Sequence, residues 1–381
     1  LDPGDYRKVF KAVFDQVNAE GGIAGRKLVP VYAAIDVTSS QTLDQQAQSA
    51  CARWTQDNKV FAILLGIQGS VVQECTEKAD AVNIVGGAAS SLPDDFRRYP
   101  HYVEISGINI VRMGPLTVRG LAAQNYFDPG AKVGMLTWDA DNYRQSLEKG
   151  FIPALSDVGV TLATQPVYVD VPASFNDLGG TNSDINSAVL KFSSLGIDHV
   201  MIVDGSAGVC AGACLGYQFL NQAESQKYRP RYGFGDSNYA DSSVNSLYPA
   251  VQLKRSVAVV WGDDTKEDDV GWKPNAPRER CYELMRKNGI PLENENQLYI
   301  ARTVCETTWF MRAVVAKMGK ATLNNDNFML TVNTMGTSFQ SLSTYVSRLS
   351  ASQHDGVSAV RNQAFFDDCT CYRYTSNPYL V

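Results

Sequence analysis

The sequence predicts an α/β protein built as two doubly wound parallel-sheet lobes, and three observations lead there. Short, continuously apolar runs such as Phe61–Leu65, Val133–Thr137 and 198–203 read as strands covered on both faces. Each is followed by a polar or glycine-rich loop and then by residues at helical spacing, the strand–loop–helix unit of a parallel sheet. The pattern restarts near Lys132, and a chain of 381 residues is long enough for two cores.

Composition narrows the class. Charged residues make up 19% and hydrophobic ones 44%, and no apolar run approaches the roughly 18 residues of a membrane span. A net charge of −6 argues against a nucleic-acid partner, which would want a basic stripe. Eight cysteines with only three histidines favour disulfides over metal sites, and no paired C-x-x-C occurs. No metal or other cofactor is therefore expected. An exported protein is the expected reading. No secretory signal opens the sequence, which on that reading makes it a processed or trimmed form.

Taken in order, Tyr6, Val9, Phe10, Val13, Phe14 and Val17 lie on one face of an amphipathic helix that Gly21 and Gly22 end. Lys27–Ala33 reads as a strand and 43–54 as a helix. Residues 60–65 read as a strand that breaks into the loop Gly66–Ser70. Loops of this kind sit at the carboxyl edge of a parallel sheet, where backbone N–H groups and a helix N-terminus point into a crevice. Asn83–Gly87 repeats the strand, with the small-residue loop Ala88–Ser91 behind it. An α/β lobe normally opens on a strand, so a strand upstream of the first helix is expected.

In the second half, 133–137 is a strand and 138–143 a polar loop. A helix carries Leu147, Phe151, Ala154 and Leu155, with a bend expected at Pro153. Strands at 160–169 and 198–203 bracket a helix with Ile185, Ala188, Val189, Phe192 and Leu195. Loops 204–209 and 232–236 repeat the strand-end arrangement, with a helix at 210–224 between them. Strand 256–261 precedes an acidic, proline-containing stretch, Asp263–Pro277, read as a solvated loop. Helices follow at 277–288 and 298–319, and the tail 365–374 is β-prone.

The run Val17-Asn18-Ala19-Glu20-Gly21-Gly22-Ile23-Ala24-Gly25-Arg26-Lys27-Leu28 resembles the N-terminal signature of type I periplasmic binding proteins. These are the leucine/isoleucine/valine-binding-protein-like solute receptors of ABC importers. The resemblance continues through Asp57–Val60, Gly66–Ser70, Ala88–Ser90, Asn142–Tyr143 and Gly235–Asp236, to about residue 335. It implies two lobes joined by three crossovers, with 1–125 and 258–335 in the first and 126–257 and 336–381 in the second. It also implies a ligand trapped by hinge closure. Two departures stand out: Arg144 replaces the family's glycine after the tyrosine, and Asp236 is one methylene shorter than the family's glutamate.

The candidate ligand-binding residues follow from both readings. Gln68, Gly69 and Ser70 offer a hydroxyl and N–H groups to a carboxylate at a helix start. Ala89 and Ser90 resemble the family's second carboxylate-binding loop, Ser206 a further second-lobe contact. Tyr143 would cover the ligand, Trp138 would form a second wall, and Asp236 would meet a cationic group. For the cysteines, the resemblance implies Cys51–Cys75, worth roughly 3 kcal/mol for a loop of about 25 residues. Cys210 and Cys214 are a local pair or two thiols. Cys281–Cys305 with Cys369–Cys371 is the simplest completion, a crossed pairing among these four staying open.

His101, His199 and His354 are each isolated, and His199, in an apolar strand, reads as a structural histidine. No Ser-His-Asp set, HExxH or Walker loop occurs, and Gly205-Ser206-Ala207-Gly208 is not the G-x-S-x-G of a nucleophile elbow. No enzymatic activity is expected. The expected function is an extracytoplasmic, monomeric receptor that passes an amino acid or organic acid to the membrane permease of an ABC importer. The alternative is the ligand-sensing domain of a signalling receptor with the same fold.

Overall fold

The computed structural model describes residues 5–36, 39, 41–64, 70–87, 91–173, 177–205, 214–240, 244, 247–262 and 275–381. Helix α1 (Tyr6–Ala19) opens on Asp5, whose carboxylate accepts from the N–H groups of Arg7 and Lys8. Its apolar stripe Val9, Val13 and Val17 is buried against α11 (Glu295–Met318). Helices α2 (Leu43–Ala52) and α3 (Ser70–Lys78) flank β1 (Ala62–Leu64), which pairs in parallel with β2 (Val82–Val85). Strand β2 pairs in turn with β3 (Tyr102–Glu104), after the short α4 (Pro93–Arg98). These three parallel strands form the first sheet.

The second sheet has eight strands. In spatial order it runs β10 (Cys371–Tyr374), β9 (Ala359–Phe366), β8 (Val257–Val260), β7 (Arg231–Gly235), β6 (His199–Val203), β4 (Val133–Asp139) and β5 (Val167–Asp170). Strand β11 (Tyr379–Leu380) joins beside β9. The run from β8 to β5 is parallel, whereas β9 pairs antiparallel with all its neighbours. Helices α5 (Ile110–Ala123), α6 (Asp141–Ser146), α7 (Ile152–Asp157), α8 (Leu178–Ser194) and α9 (Cys214–Ser225) complete this lobe. Helices α10 (Ala276–Lys287), α11 and α12 (Asn325–Val332) return to the first.

Several expectations shift. The lobe boundaries at 125/126 and 257/258 move, because α5 packs on the second sheet and β8 lies inside it. The first lobe thus ends near Glu104 and resumes near Asn275. Lys27–Ala33 joins neither sheet. It is held by side chains instead: Asn18 both donates to and accepts from the Leu28 backbone, at 3.0 and 2.7 Å, and the Trp54 indole donates to Val31 O at 2.9 Å. Pro30 also lacks the donor a central strand needs. The strand expected at 160–169 is confined to Val167–Asp170. At Pro153, where a bend is expected, helical backbone runs on from α6 through the π-helical turn Leu147–Phe151 into α7, and the missing N–H falls directly after that turn.

Candidate functional site

Three crossovers join the lobes: 105–109 between β3 and α5, the stretch after β8 that begins at Trp261, and 336–358 between α12 and β9. The first two leave from the carboxyl ends of β3 and β8. The carboxyl ends of both parallel sheets are therefore turned to the junction, where small ligands bind in folds of this kind.

Two buried carboxylates clasp the crossovers. Glu306 on α11 accepts from Ser106 Oγ at 2.8 Å, from Leu342 N at 2.9 Å and from the Ser341 hydroxyl. Asp355 accepts from Asn109 N at 2.8 Å, Asn109 Nδ2 at 2.9 Å and Arg112 Nε at 3.0 Å, all at the start of α5. The backbone of the same crossover is tied to β3, with Glu104 N donating to His354 O at 2.9 Å and Gly356 N to Glu104 O at 2.8 Å. A Cβ on Gly356 would lie 1.9 Å from Ile105 O, so only glycine permits this approach. Ser106 is thus held to the first lobe by Glu306, while Gly107 accepts from Val357 N at 3.1 Å just before β9. Between those two residues the chain passes from the hold of one lobe to that of the other. The second crossover is tied to the third by Thr344 Oγ1, which donates to Trp261 O at 2.7 Å.

Ser70 is exposed and is the first residue of α3. Asp236 is half-buried at the carboxyl end of β7, opens the 3-10 turn Asp236–Asn238, and accepts from Gly262 N at 3.2 Å. It therefore stands beside the second crossover. Gln68, Gly69, Ala89, Ser90, Ser206 and Cys210 lie outside the described residues, as does the acidic stretch 263–274.

Trp138 and Tyr143 do not line an open wall. Trp138 belongs to β4 rather than to a loop, is fully buried, and its indole N–H donates to Asp204 Oδ1 at 3.0 Å. Tyr143 is 1% exposed at the base of α6, which packs on α5 and β4; burial pushes its hydroxyl pKa up. Both rings belong to the second lobe's core. The residue behind this arrangement is Asp204, which no sequence motif singles out. Entirely buried at the carboxyl end of β6, it also accepts from Gly205 N and Gly216 N at 2.8 Å each. Burial pushes its pKa up to about 7 against these donors. Its only sequence signal is an acid directly following the apolar run His199–Val203.

The disulfides Cys51–Cys75, Cys281–Cys305 and Cys369–Cys371 form as the uncrossed scheme has them. Cys214 is also disulfide-bonded. The first of these ties α2 to α3, the helix that Ser70 opens. His199 and His354 are structural: the first contacts Asp198 at 2.7 Å and the Tyr126 ring, the second contacts Asn333 at 2.7 Å. His101 lies among Glu77, Asp80 and Asp326 at 3.5–3.8 Å. No cluster of His, Cys, Asp and Glu suited to a metal occurs among the described residues, and no helix among them is long and apolar enough to cross a membrane.

Two α/β lobes joined by three crossovers at the carboxyl ends of their sheets define a two-lobed binding-protein fold. The chain belongs to the periplasmic binding protein family, whose description matches residues 4–361. That family is one of extracytoplasmic solute-binding proteins. No curated protein matches the sequence. Among solved structures, the chain is similar to a branched-chain amino acid ABC transporter protein from Thermus thermophilus with bound valine. The identity is 14%, the coverage 98% of this chain and 92% of that one, and the TM-score 0.68. A fatty acid ABC transporter substrate-binding protein from Thermomonospora curvata matches at 13% identity, 99% and 87% coverage and TM-score 0.67. A solute-binding protein of an R. palustris ABC transporter in complex with 4-hydroxybenzoate matches at 13% identity, 98% and 93% coverage and TM-score 0.65. At these identities the likeness shows the shared fold.

Proposed function

We propose that the chain is the extracytoplasmic receptor of an ABC importer, binding a small carboxylate-bearing solute between its lobes and presenting it to a membrane permease. The observation that carries this reading is the placement of Ser70 and Asp236. One opens a helix behind the carboxyl end of a first-lobe strand; the other ends a second-lobe strand beside a crossover. Ser70 and the N–H groups of the first turn of α3 would take the carboxylate. Asp236 would take an ammonium, a charge that needs a partner in a closed cleft. Valine, a fatty acid and 4-hydroxybenzoate, named for three structures of the same fold, share a carboxylate and an apolar body but not an ammonium. The carboxylate is therefore the more general feature, and Asp236 is what favours an amino acid over an organic acid.

Ligand that touches both lobes only when they close shifts the population to the closed state by its differential binding energy. The disulfides that tie α2 to α3 and α10 to α11 suit an oxidising compartment outside the cytosol, and the receptor would act as a monomer. The test is a thermal-shift screen of amino acids, organic acids, sugars and polyamines on the full chain, followed by small-angle scattering. Stabilisation by a carboxylate with a fall in radius of gyration is expected. A sugar or polyamine that stabilises the protein while every carboxylate fails overturns the ligand class.

A further inference from the structure

Trp138 and Tyr143 are enclosed in the core, so neither gives the second lobe's side of the cleft the apolar surface that the sequence predicts for it. Tyr239 stands in the right place. It ends the turn Asp236–Asn238 at the carboxyl end of β7, three residues after the carboxylate proposed for the ligand ammonium. Tyr239 is 43% exposed, whereas most large side chains of this sheet are buried. Its backbone is left-handed, with φ 49° and ψ 40°. Among the described residues it is the one aromatic of the eight non-glycine positions with positive φ.

A bulky residue is strained in that conformation, which persists only where the surroundings over-determine it. Here the surroundings do. Tyr239 N donates to Asp236 O at 2.9 Å. The fully buried Asn238 donates to Ile202 O at 3.0 Å and accepts from Gly235 N at 2.9 Å, while the Tyr248 hydroxyl donates to Asn238 O at 2.8 Å. The turn is locked from beneath by β6 and β7. The next residue is left at the surface beside Asp236, at a position where glycine or asparagine would fit the backbone better. The turn thus presents a partly exposed aromatic residue beside a half-buried carboxylate at the carboxyl end of β7.

We propose that Tyr239 is the second lobe's wall for the apolar body of the ligand and a determinant of which solutes are accepted. This rests on the carboxylate-receptor reading above. The test compares the full-length protein with Tyr239→Gly, Tyr239→Asn and Tyr239→Phe by calorimetry, using L-leucine, L-valine and 4-hydroxybenzoate as probes beside a panel of sugars and polyamines. The Gly and Asn variants relieve the left-handed strain, so their melting temperatures should equal or exceed that of the parent. Their affinity for whichever probe binds the parent should fall at least tenfold, while Phe, keeping the ring, stays within threefold. Gly or Asn variants that bind as the parent does overturn the proposal and leave the receptor reading intact. If only a sugar or polyamine binds the parent, the carboxylate reading fails, and the same variants measured on that solute still decide the role of Tyr239. A parent that binds nothing in the panel counts against both.

Discussion

The first lobe builds its sheet from three short strands and the second from eight, and the two cohere by different means. In the second, one contiguous buried cluster runs from Ile108 through Trp138, Phe192, Phe219 and Tyr232 to Tyr374. In the first, the buried residues fall into separate groups along α11: Val17, Ile84, Val103 and Phe310 at its C-terminal half, Val9, Val13, Met285 and Ile300 at its N-terminal half. A small sheet with divided cores has less apolar area per residue to bury. The first lobe adds covalent ties between its helices. Cys51–Cys75 joins α2 to α3, and Cys281–Cys305 joins α10 to α11, each spanning a sequence separation of 24. In the second lobe Cys369–Cys371 closes the short turn between β9 and β10, and Cys214, at the start of α9, is disulfide-bonded as well. The described ties from helix to helix stand where the core is thin.

The largest effect that tests this contrast comes from the first lobe. Replacing both Cys281 and Cys305 by alanine should cost about 3 kcal/mol, from restored freedom of the unfolded chain. The loss should be local. Hydrogen exchange of α10 and α11 amides should accelerate well ahead of that of β6 and β7. Equal acceleration in both lobes would show that the molecule unfolds as one cooperative unit and that the contrast has no energetic meaning.

The counterpart in the second lobe attacks packing. Pro115 lies inside α5 and has no N–H to donate to Val111 O. Gly150 of the π-helical turn comes up against that region, a Cβ there meeting Val111 O at 2.4 Å. Gly114 faces it, and a Cβ at Gly114 would lie 2.5 Å from the Gly150 carbonyl carbon and 2.6 Å from Phe151 N. Backbone meets backbone, so neither side can yield by changing a rotamer. Gly114→Ala should destabilise by about 1–3 kcal/mol, read by denaturant unfolding, even though alanine favours a helix interior. A variant as stable as the parent would mean the two helices separate freely, and the second lobe's core would not be its main support.

How much of this the sequence disclosed follows the same divide. Runs such as His199–Val203 and Val257–Val260 are apolar at almost every position because parallel strands are covered on both faces, and they read clearly. Leu28-Val29-Pro30-Val31 is as apolar locally, yet joins no sheet, and Val29 is 79% exposed; strand membership depends on a neighbour that local pattern does not reveal. Trp138 reads as a loop residue because polar residues follow it, but β4 extends through Asp139, beyond the end of its apolar run. The site was less legible than the fold. A buried acid such as Asp204 or Asp355 looks like any surface acid until its donors, most of them distant in sequence, are known. The left-handed turn at Tyr239 is fixed by Asn238 and Tyr248 beneath it, which no short motif records.

The smallest effect compares one buried carboxyl from each lobe. Glu104 ends β3 and Asp204 follows β6, both fully buried. Burial pushes Glu104 up to about 8, with Asp355 nearby adding to the rise and the Tyr102 hydroxyl opposing it. Asp204, opposed by the Gly216, Gly205 and Trp138 N–H groups, rises to about 7. In each case the folded protein holds a proton that the unfolded chain releases near 4.5 or 3.8. Stability from these groups is therefore greatest below the unfolded value, falls as pH rises toward 8 for Glu104 or 7 for Asp204, and is level above that. The slope is at most about 1.4 kcal/mol per pH unit for each group. Glu104→Gln, which keeps a neutral side chain of the same shape, should flatten the decline between pH 5 and 8. Asp204→Asn should flatten it less, because the decline from Asp204 already ends near pH 7, and should add a pH-independent loss, because an amide offers one oxygen to three N–H donors where the carboxyl offers two. Denaturant unfolding at pH 5, 6, 7 and 8 measures both slopes. A Glu104→Gln slope equal to the parent's would mean that the first lobe's carboxyl is ionised when folded, so that its donors rather than burial govern it.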